Sequence, residues 1–518
     1  MDIEFKDVKT NFNRNQKGFG KMENNKSSGK NKPNILFFMP DQLRWDTAIT
    51  DEKCRTPNLD RLVNSGVSFN NVYPTMAHCC PSRASLMTGL YPSQNGIFNN
   101  VLNGSALCKS LKKGVETFSE KLKENKYKLY YTGKWHVSAA EDPADRGWKE
   151  FQISCPSTGQ TGFFMKDWKT ADMTDKKKRG RGEVLKPGWG TMKLYGTYDR
   201  NSTGEKIVDG YEGHHDYRFI KDALCTLDKV KKEKSPWCLY VGPTGPHDPF
   251  IVPEKYAKMY DPRDVKLPPN YRDSMKNKPY YYKRMQKRWS QLSEQEVKES
   301  IAHYYGYVTM LDDYLGLVLD RLERNGLSEN TIVIFTSDHG EFLGSHGLYC
   351  KGIAPYDEGY KVPLVISSVK HVKNPGRSSD KLISLIDLAP TVLELSGSPK
   401  LKKCAGLSLR PFIDDKKNFK WRDALYMQDN GVEIYFSQRI VRTERYKFVY
   451  NPVSIDELYD LEKDPYELKN LSEDKKYRNL KKKLFKRMWE FAFETDDDTI
   501  CNAYHTVSMA DYGPLIAR

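Results

Sequence analysis

At 518 residues the chain is long enough for a large core and for more than one domain. Its 38% hydrophobic and 12% aromatic residues fit a soluble globular protein, and no apolar run reaches the roughly 18 residues of a membrane-spanning helix, which excludes a helical membrane protein. The net charge of +15 raises the question of polyanionic partners, but the basic residues cluster locally, at 176–181 and 283–288, without a nucleic-acid module, so a solvated surface or an anionic substrate accounts for them and nucleic acid is excluded.

Residues 1–32 are polar, rich in Asn, Lys and Gly, and lack an apolar signal core. They read as the disordered tail of a cytoplasmic protein. The ten cysteines are scattered apart from Cys79-Cys80 and suggest no disulfide framework. The apolar run at 33–39 predicts a strand buried on both faces of a parallel sheet, and it ends at Pro40-Asp41-Gln42. Ligand sites in open α/β sheets lie just beyond the carboxyl ends of strands, which places Asp41 where chemistry occurs. Thr56-Pro57 then opens a short helix, with Thr56 as its cap and Pro57 in the first turn.

The next stretch is Cys79-Cys80-Pro81-Ser82-Arg83-Ala84-Ser85-Leu86-Met87-Thr88-Gly89. Pro81 suits the first turn of a helix, whose free N–H groups point towards Cys79, and Arg83 adds a charge that does not titrate. The result is an anion site around a reactive cysteine. Adjacent cysteines also arise as buried small hydrophobes, as a vicinal disulfide or in a zinc site, although the paired Cys-x-x-Cys spacing is missing. Cys80 reads as packing.

Asn99-Asn100 falls in a turn-rich stretch. An amphipathic helix at 115–127 leads to a strand at 128–132 that ends at Gly133-Lys134-Trp135-His136, where alternation puts Lys134 and His136 on one side. His214-His215-Asp216 opens a helix through Leu227; neighbouring histidines on a helix point apart, so capping or packing is expected of them and a shared metal is not. A strand at 237–241 runs into Gly242-Pro243-Thr244-Gly245-Pro246-His247-Asp248-Pro249, a rigid turn that aims His247. Residues 294–325 form a long helix with an apolar stripe through Tyr304, Val308, Leu311, Leu315 and Leu319, and His303 packs within it.

The buried strand at 331–337 ends at Asp338-His339-Gly340. Two strands delivering carboxylates to one sheet edge, one beside an amide and the other beside an imidazole, make a divalent-metal site. The oxygens suit calcium or magnesium, and the histidine admits manganese. Gly344-Ser345-His346-Gly347 and Lys351 follow. Past Gly406 the pattern turns to short strands at 445–450 and 457–461 and a basic helix over 477–493.

The spacing Cys79-x-Pro81-Ser82-Arg83-x-x-x-x-Thr88-Gly89 resembles the signature of the type I sulfatases, in which the cysteine becomes formylglycine and the hydrated aldehyde is the nucleophile. The resemblance implies an alkaline-phosphatase-like α/β fold: a large, mostly parallel sheet flanked by helices, with a smaller C-terminal antiparallel-sheet subdomain. It divides the chain into a tail at 1–32, a catalytic domain at 33–405 and a subdomain with a terminal tail at 406–518. It further implies that Asp41, Gln42, Asp338, His339 and the modified Cys79 hold one divalent metal, calcium first and magnesium or manganese next. Arg83, Lys134, His136, His247 and Lys351 match catalytic positions, and Asn100 and His346 match substrate-binding ones.

Many sulfatases carry Asp-Asp and Asp-Asn at the two strand ends, where this chain has Asp-Gln and Asp-His; that pairing looks like the branch of choline sulfatases and phosphonate monoester hydrolases. The implied activity is hydrolysis of a sulfate ester on a small molecule or glycan, after maturation by a formylglycine-generating enzyme. A phosphonate monoester or phosphodiester hydrolase is the alternative. A third reading is a non-catalytic anion-binding protein in which residue 79 stays a thiol. The segments 155–211 and 267–289 are expected to shape the pocket for the alcohol part, with Trp168, Trp189 and Trp289 either stacking on a sugar or packing.

Overall fold

The computed structural model describes residues 32–49, 53–154, 178–186, 190–198, 210–432 and 434–517. The expected tail up to residue 31, together with Trp168 and Trp189, lies outside the described residues. Among those described, an eight-stranded sheet runs in the order Arg377–Ser384, Gly66–Tyr73, Leu364–Ser367, Thr331–Thr336, Asn34–Phe38, Trp237–Gly242, Lys128–Lys134, Lys149–Ser154. Leu364–Ser367 is antiparallel to both its neighbours, and the other pairings are parallel.

The central strand explains the layering. Side chains alternate across a strand, and here Leu36 and Phe38 enter one apolar cluster while Ile35, Phe37 and Met39 enter the other. The first cluster is closed by the Tyr217–Val230 and Glu294–Arg324 helices through Ile220, Leu227, Val308, Leu311 and Leu315. The second is closed by the Cys79–Thr88 and Leu388–Ser396 helices through Ala84, Leu86, Leu388 and Val392. A strand buried on both faces has no polar side to show, which is why 33–39 reads as a continuous apolar run.

A second, antiparallel sheet joins Ala424–Asp429, Gln438–Thr443, Tyr446–Tyr450 and Glu457–Asp460 in that order. One face packs the Arg478–Glu494 helix, with Phe448 and Phe485 ring centres 4.7 Å apart. The other packs Leu425, Met427, Ile440 and Val449 against Tyr73, Ala77, Tyr360 and Leu382. No helix among the described residues is long and apolar enough to cross a membrane.

Local expectations differ from the structure in three places. The helix expected at 115–127 is Phe118–Glu124, opened by a Thr117/Glu120 capping box, because the apolar residues at its margins turn into the core. Thr56 does not cap its helix: its hydroxyl bonds Ala48 O, and Asp312 of the long helix accepts from the Asn58 and Leu59 N–H groups instead, at 3.0 and 2.8 Å. His214 and His215 do not point apart: they precede the Tyr217–Val230 helix in a turn, where their rings lie 4.1 Å apart.

Candidate active site

The Asn34–Phe38 and Thr331–Thr336 strands are neighbours in parallel register, with Phe38 opposite Phe335. Asp41 and Asp338 each lie the same distance beyond that pair, so equal extension of the two chains brings the carboxylates together at the sheet edge. Ser337 ties the ends: its hydroxyl donates to Pro40 O at 3.0 Å and accepts from Leu43 N at 2.9 Å. The Gln42 N–H donates to Asp338 Oδ1 at 3.0 Å and holds Gln42 in the left-handed region at φ 65, a conformation that costs on the order of 1–3 kcal/mol and persists only where surroundings impose it.

The Cys79–Thr88 helix starts at this edge. Cys79 is a free thiol, buried, with Sγ 3.2 Å from His339 Nε2 and 3.9 Å from Asp41 Oδ1. Cys80 is a thiol too, packed in the core and accepting from Val101 N at 3.4 Å, so the pair is not a vicinal disulfide. One turn on, Arg83 is buried and bridges the two carboxylates, to Asp41 Oδ2 at 3.0 Å and Asp338 Oδ2 at 2.8 Å. Ser82 Oγ donates to Asp338 O at 2.6 Å. Lys134 Nζ lies 2.6 Å from Asp41 Oδ2.

Gly133, just before Lys134, has φ 108, and a Cβ there would stand 2.0 Å from Gly242 O. Glycine is required for Lys134 to reach the edge. Burial works against ionised Asp41, but Lys134 and Arg83 outweigh it and hold its carboxyl well below the usual range. Asp338 is raised, because burial there exceeds the help from Arg83. Burial pushes the Cys79 thiol up, yet Lys134, Lys351 and His339 bring it well below an ordinary cysteine.

Asp41, Cys79, Asp338 and His339 are all buried, and one ligand atom from each lies within 4.8 Å of the others. His339 Nδ1 donates to Gly340 O at 2.9 Å, which turns Nε2 towards Cys79 and the carboxylates. Such a backbone bond is how metal-ligating histidines are commonly oriented. Two carboxylates, an imidazole nitrogen and residue 79 fit a divalent cation.

A second layer sits beside this group. Lys351 Nζ donates to His247 Nε2 at 2.5 Å and also to Gln42 Oε1. His247 Nδ1 donates to Asp248 O at 2.7 Å. The Gln42 amide N–H donates to Asp248 Oδ1 at 2.9 Å and to Glu341. Burial and Lys351 oppose protonation of His247, but Asp248 prevails and raises it. Burial lowers His136 to about 4, so that ring is neutral at ordinary pH.

Lys134, His136, His247 and Asp248 line a cleft of about 570 Å³ whose other walls include Tyr198, His214, His215, Thr244 and Tyr307. The structure thus gathers Asp41, Gln42, Cys79, Arg83, Lys134, His136, His247, Asp338, His339 and Lys351 at one place. Asn100 stands at the helix start, where Oδ1 accepts from Cys80 N at 3.2 Å. His346 is not gathered there: it is buried in another polar cluster, with Nδ1 2.6 Å from Asp273 Oδ2 and its ring stacked on Tyr356 at 3.7 Å.

Sequence reasoning missed Asp248, Glu341 and Ser337, and it named Ser82 in the Cys79 motif without its bond to Asp338 O. The first two carried a signal, since Asp248 adjoins His247 and Glu341 closes Asp338-His339-Gly340-Glu341. The bonds made by Ser82 and Ser337 carried none, because they reach neighbours hundreds of residues away. His214, His215 and Asp216 also form a tight group, but the Asp216 carboxylate is already taken by Thr244 N, Thr244 Oγ1 and Gly245 N at 3.0, 2.6 and 2.8 Å.

Residues 33–398 match the family model described as Sulfatase, and residues 344–494 match the C-terminal region of N-sulphoglucosamine sulphohydrolase. The chain belongs to the sulfatase family. It is a sulfatase-family hydrolase in fold and in the composition of its buried group. An uncharacterized sulfatase, YidJ, of Escherichia coli is 27% identical over 475 residues, covering 89% of this chain and 87% of that one. An N-acetylglucosamine-6-O-sulfatase of Bacteroides thetaiotaomicron is 26% identical over 520 residues, covering 89% and 86%. Among solved structures, a phosphonate monoester hydrolase from Silicibacter pomeroyi superposes with a TM-score of 0.71 at 21% identity, covering 92% of this chain and 97% of that one.

Proposed function

We propose that this sulfatase-family chain hydrolyses a sulfate ester carried by a sugar, with Cys79 matured to formylglycine by a formylglycine-generating enzyme. The observation that carries the reading is the position of residue 79: at a helix start, inside the buried Asp41, Asp338 and His339 group, with Lys134 and Lys351 close enough to govern its ionisation. The sugar is supported by the N-acetylglucosamine-6-O-sulfatase among the relatives and by the aromatic and imidazole walls of the cleft.

Asp41, Asp338 and His339, with Gln42 beside them, would hold a divalent cation, for which we favour calcium over magnesium or manganese; when bound it neutralises charge developing on a sulfate oxygen. Lys134 and Lys351 supply the fixed positive charge that binds the remaining non-bridging oxygens. Arg83 holds the two carboxylates in place. The new bond forms between sulfur and one hydroxyl oxygen of the hydrated aldehyde at residue 79, which attacks after releasing its proton to water, in the ionised form that Lys134 and Lys351 favour. The bond from sulfur to the ester oxygen breaks, and its electron pair stays on that oxygen.

Lys351 and His247, which share a proton between Nζ and Nε2, are placed to deliver the proton that the departing alcohol needs. His136, neutral and on the cleft wall, is placed to take the proton of the second hydroxyl, which lets the carbonyl re-form and sulfate leave. A thiol at residue 79 has no second hydroxyl, so the cycle depends on the maturation. Asn100 keeps the helix start in position through Cys80 N.

Cleavage of a phosphonate monoester is the second reading, favoured by the Asp41-Gln42 and Asp338-His339 pairs and by the likeness to a phosphonate monoester hydrolase. The two are separated by assaying an aryl sulfate and an aryl phosphonate monoester side by side, with protein co-expressed with a formylglycine-generating enzyme and Cys79→Ala as control. The expected result is faster sulfate cleavage that vanishes in the variant. Preferential phosphonate cleavage moves the protein to the second reading, and activity that survives without Cys79 removes the mechanism.

A further inference from the structure

The basic run at 283–288 and the tyrosines before it take no part in the site above. They form the Tyr280–Trp289 helix. Residues at i, i+3, i+4 and i+7 share a helix face, and Tyr280, Lys283, Arg284 and Lys287 have that spacing. All four are exposed, Tyr280 by 71%. They form one wall of a cleft of about 600 Å³, which Trp289 and Tyr349 also line, with ring centres 5.0 Å apart.

The charge in this cleft is one-sided. Arg272 pairs with Glu294 at 2.5 Å, and Asp273 is engaged by Lys278 at 2.5 Å and by His346 at 2.6 Å. Lys283, Arg284 and Lys287 have no carboxylate partner among the described residues. At the cleft, Trp289 is only 6% exposed, and its indole N–H finds no acceptor among the described residues. An indole nitrogen only donates, and a buried donor left unpaired costs about 1–3 kcal/mol. A ligand that brings an acceptor removes that cost.

An exposed tyrosine ring, three unpaired cations and a buried donor in one cleft complement an anionic sugar, whose ring face packs on Tyr280 and whose acidic oxygens take the cations and the N–H. A nucleic-acid strand has acidic oxygens too, but it is bound along an extended basic track with successive stacking platforms, and this is a bounded cleft. It is also built on the loop that serves the active site: Gln286 donates to His346 O at 2.9 Å and Asp273 O at 2.6 Å, and Tyr349 lies two residues before Lys351.

We propose that this cleft is a second, non-catalytic site that binds an anionic stretch of glycan and so holds a polymeric substrate to the enzyme. It rests on the reading of the chain as a sugar sulfatase and extends it from single sugars to sulfated chains.

The test is fluorescence anisotropy with a labelled heparin octasaccharide, its desulfated counterpart and a labelled oligothymidine. The proteins compared are the unaltered chain, a triple variant with Lys283→Ala, Arg284→Ala and Lys287→Ala, and Trp289→Phe, which keeps a ring against Tyr349 and loses the donor. Octasaccharide affinity is expected to fall about tenfold in the triple variant, with a shallower salt dependence, and about threefold in Trp289→Phe. Aryl sulfate turnover is expected to be unchanged in both.

Unaltered octasaccharide affinity in both variants overturns the proposal. So does equal affinity for the desulfated chain, or oligothymidine bound as tightly and lost in parallel. If aryl sulfate is not cleaved but octasaccharide binding still falls in the variants, the catalytic reading fails and the glycan site stands.

Discussion

Arg83 is where the charge balance of the centre is decided. Two buried carboxylates converge on residue 79; Arg83 contacts both, and Lys134 contacts Asp41. Burying two like charges this close is unfavourable unless cations face them, and a divalent cation would complete the compensation. Saturating calcium, magnesium or manganese is therefore expected to raise the melting temperature of the matured protein, by mass action worth about 2.7 kcal/mol at a hundredfold excess over Kd. Chelation is expected to reverse it. Asp41→Asn should abolish the dependence on cation concentration in a thermal melt; a shift of full size in that variant would place the cation elsewhere. The residues at the two strand ends were legible in sequence because each follows an apolar run that has nowhere to lie except inside a sheet. The bridging geometry of Arg83 was not, since it needs the register of the two strands.

At the scale of elements, the Glu294–Arg324 helix does more than bury its stripe. Its Asp312 supplies the cap that Thr56 does not, taking both N–H groups at the start of the Pro57–Asn64 helix. A local cap competes with any acceptor that tertiary packing brings closer, and here the packed one wins. Asp312→Ala is expected to lower stability by about 2 kcal/mol, the upper range for a lost cap, and Thr56→Val by much less. Urea unfolding of the two variants measures the difference, and the reverse order would restore Thr56 as the cap. The long helix itself was readable to within a residue from its apolar stripe, and its Ser293/Glu296 capping box marks the start. The Phe118–Glu124 helix was overextended because apolar periodicity does not say where a chain stops turning.

Over the whole molecule, the second sheet is held to the first by the apolar seam of Leu425, Met427, Ile440 and Val449 on Tyr73, Ala77, Tyr360 and Leu382. The seam has a polar stitch: Tyr360 OH donates to Asp429 Oδ2 at 2.8 Å, and Gly431 N donates to Asp429 Oδ1 at 2.9 Å. Burial pushes the Asp429 carboxyl up to about 6 against these bonds. Between about pH 4 and 6 the folded chain keeps a proton there that the unfolded chain has released. Stability therefore falls as pH rises through that window, by about 3 kcal/mol in all. Asp429→Asn keeps an acceptor for Gly431 and carries no charge, so it is expected to be more stable than the unaltered chain at pH 7.5 and to lack this part of the pH dependence. Denaturant curves at pH 4.5 and 7.5 decide it, and equal pH slopes for the two proteins would show that Asp429 does not titrate in this range.

Fold class and the candidate nucleophile and ligand residues were all local matters: an apolar run followed by a carboxylate, a cysteine followed by a helix start and an arginine. Each is written within about a dozen consecutive residues, and adjacency in the chain carries it. The order of the strands, the antiparallel entry of Leu364–Ser367, the partners of Asp41 and the surroundings of His346 join residues tens to hundreds of positions apart. His346 has the same local look as His339, a histidine before a glycine in a turn. Packing alone sent one to the sheet edge beside Cys79 and the other into a buried cluster under Tyr356, because a side chain's surroundings are set by whatever the rest of the chain folds against it.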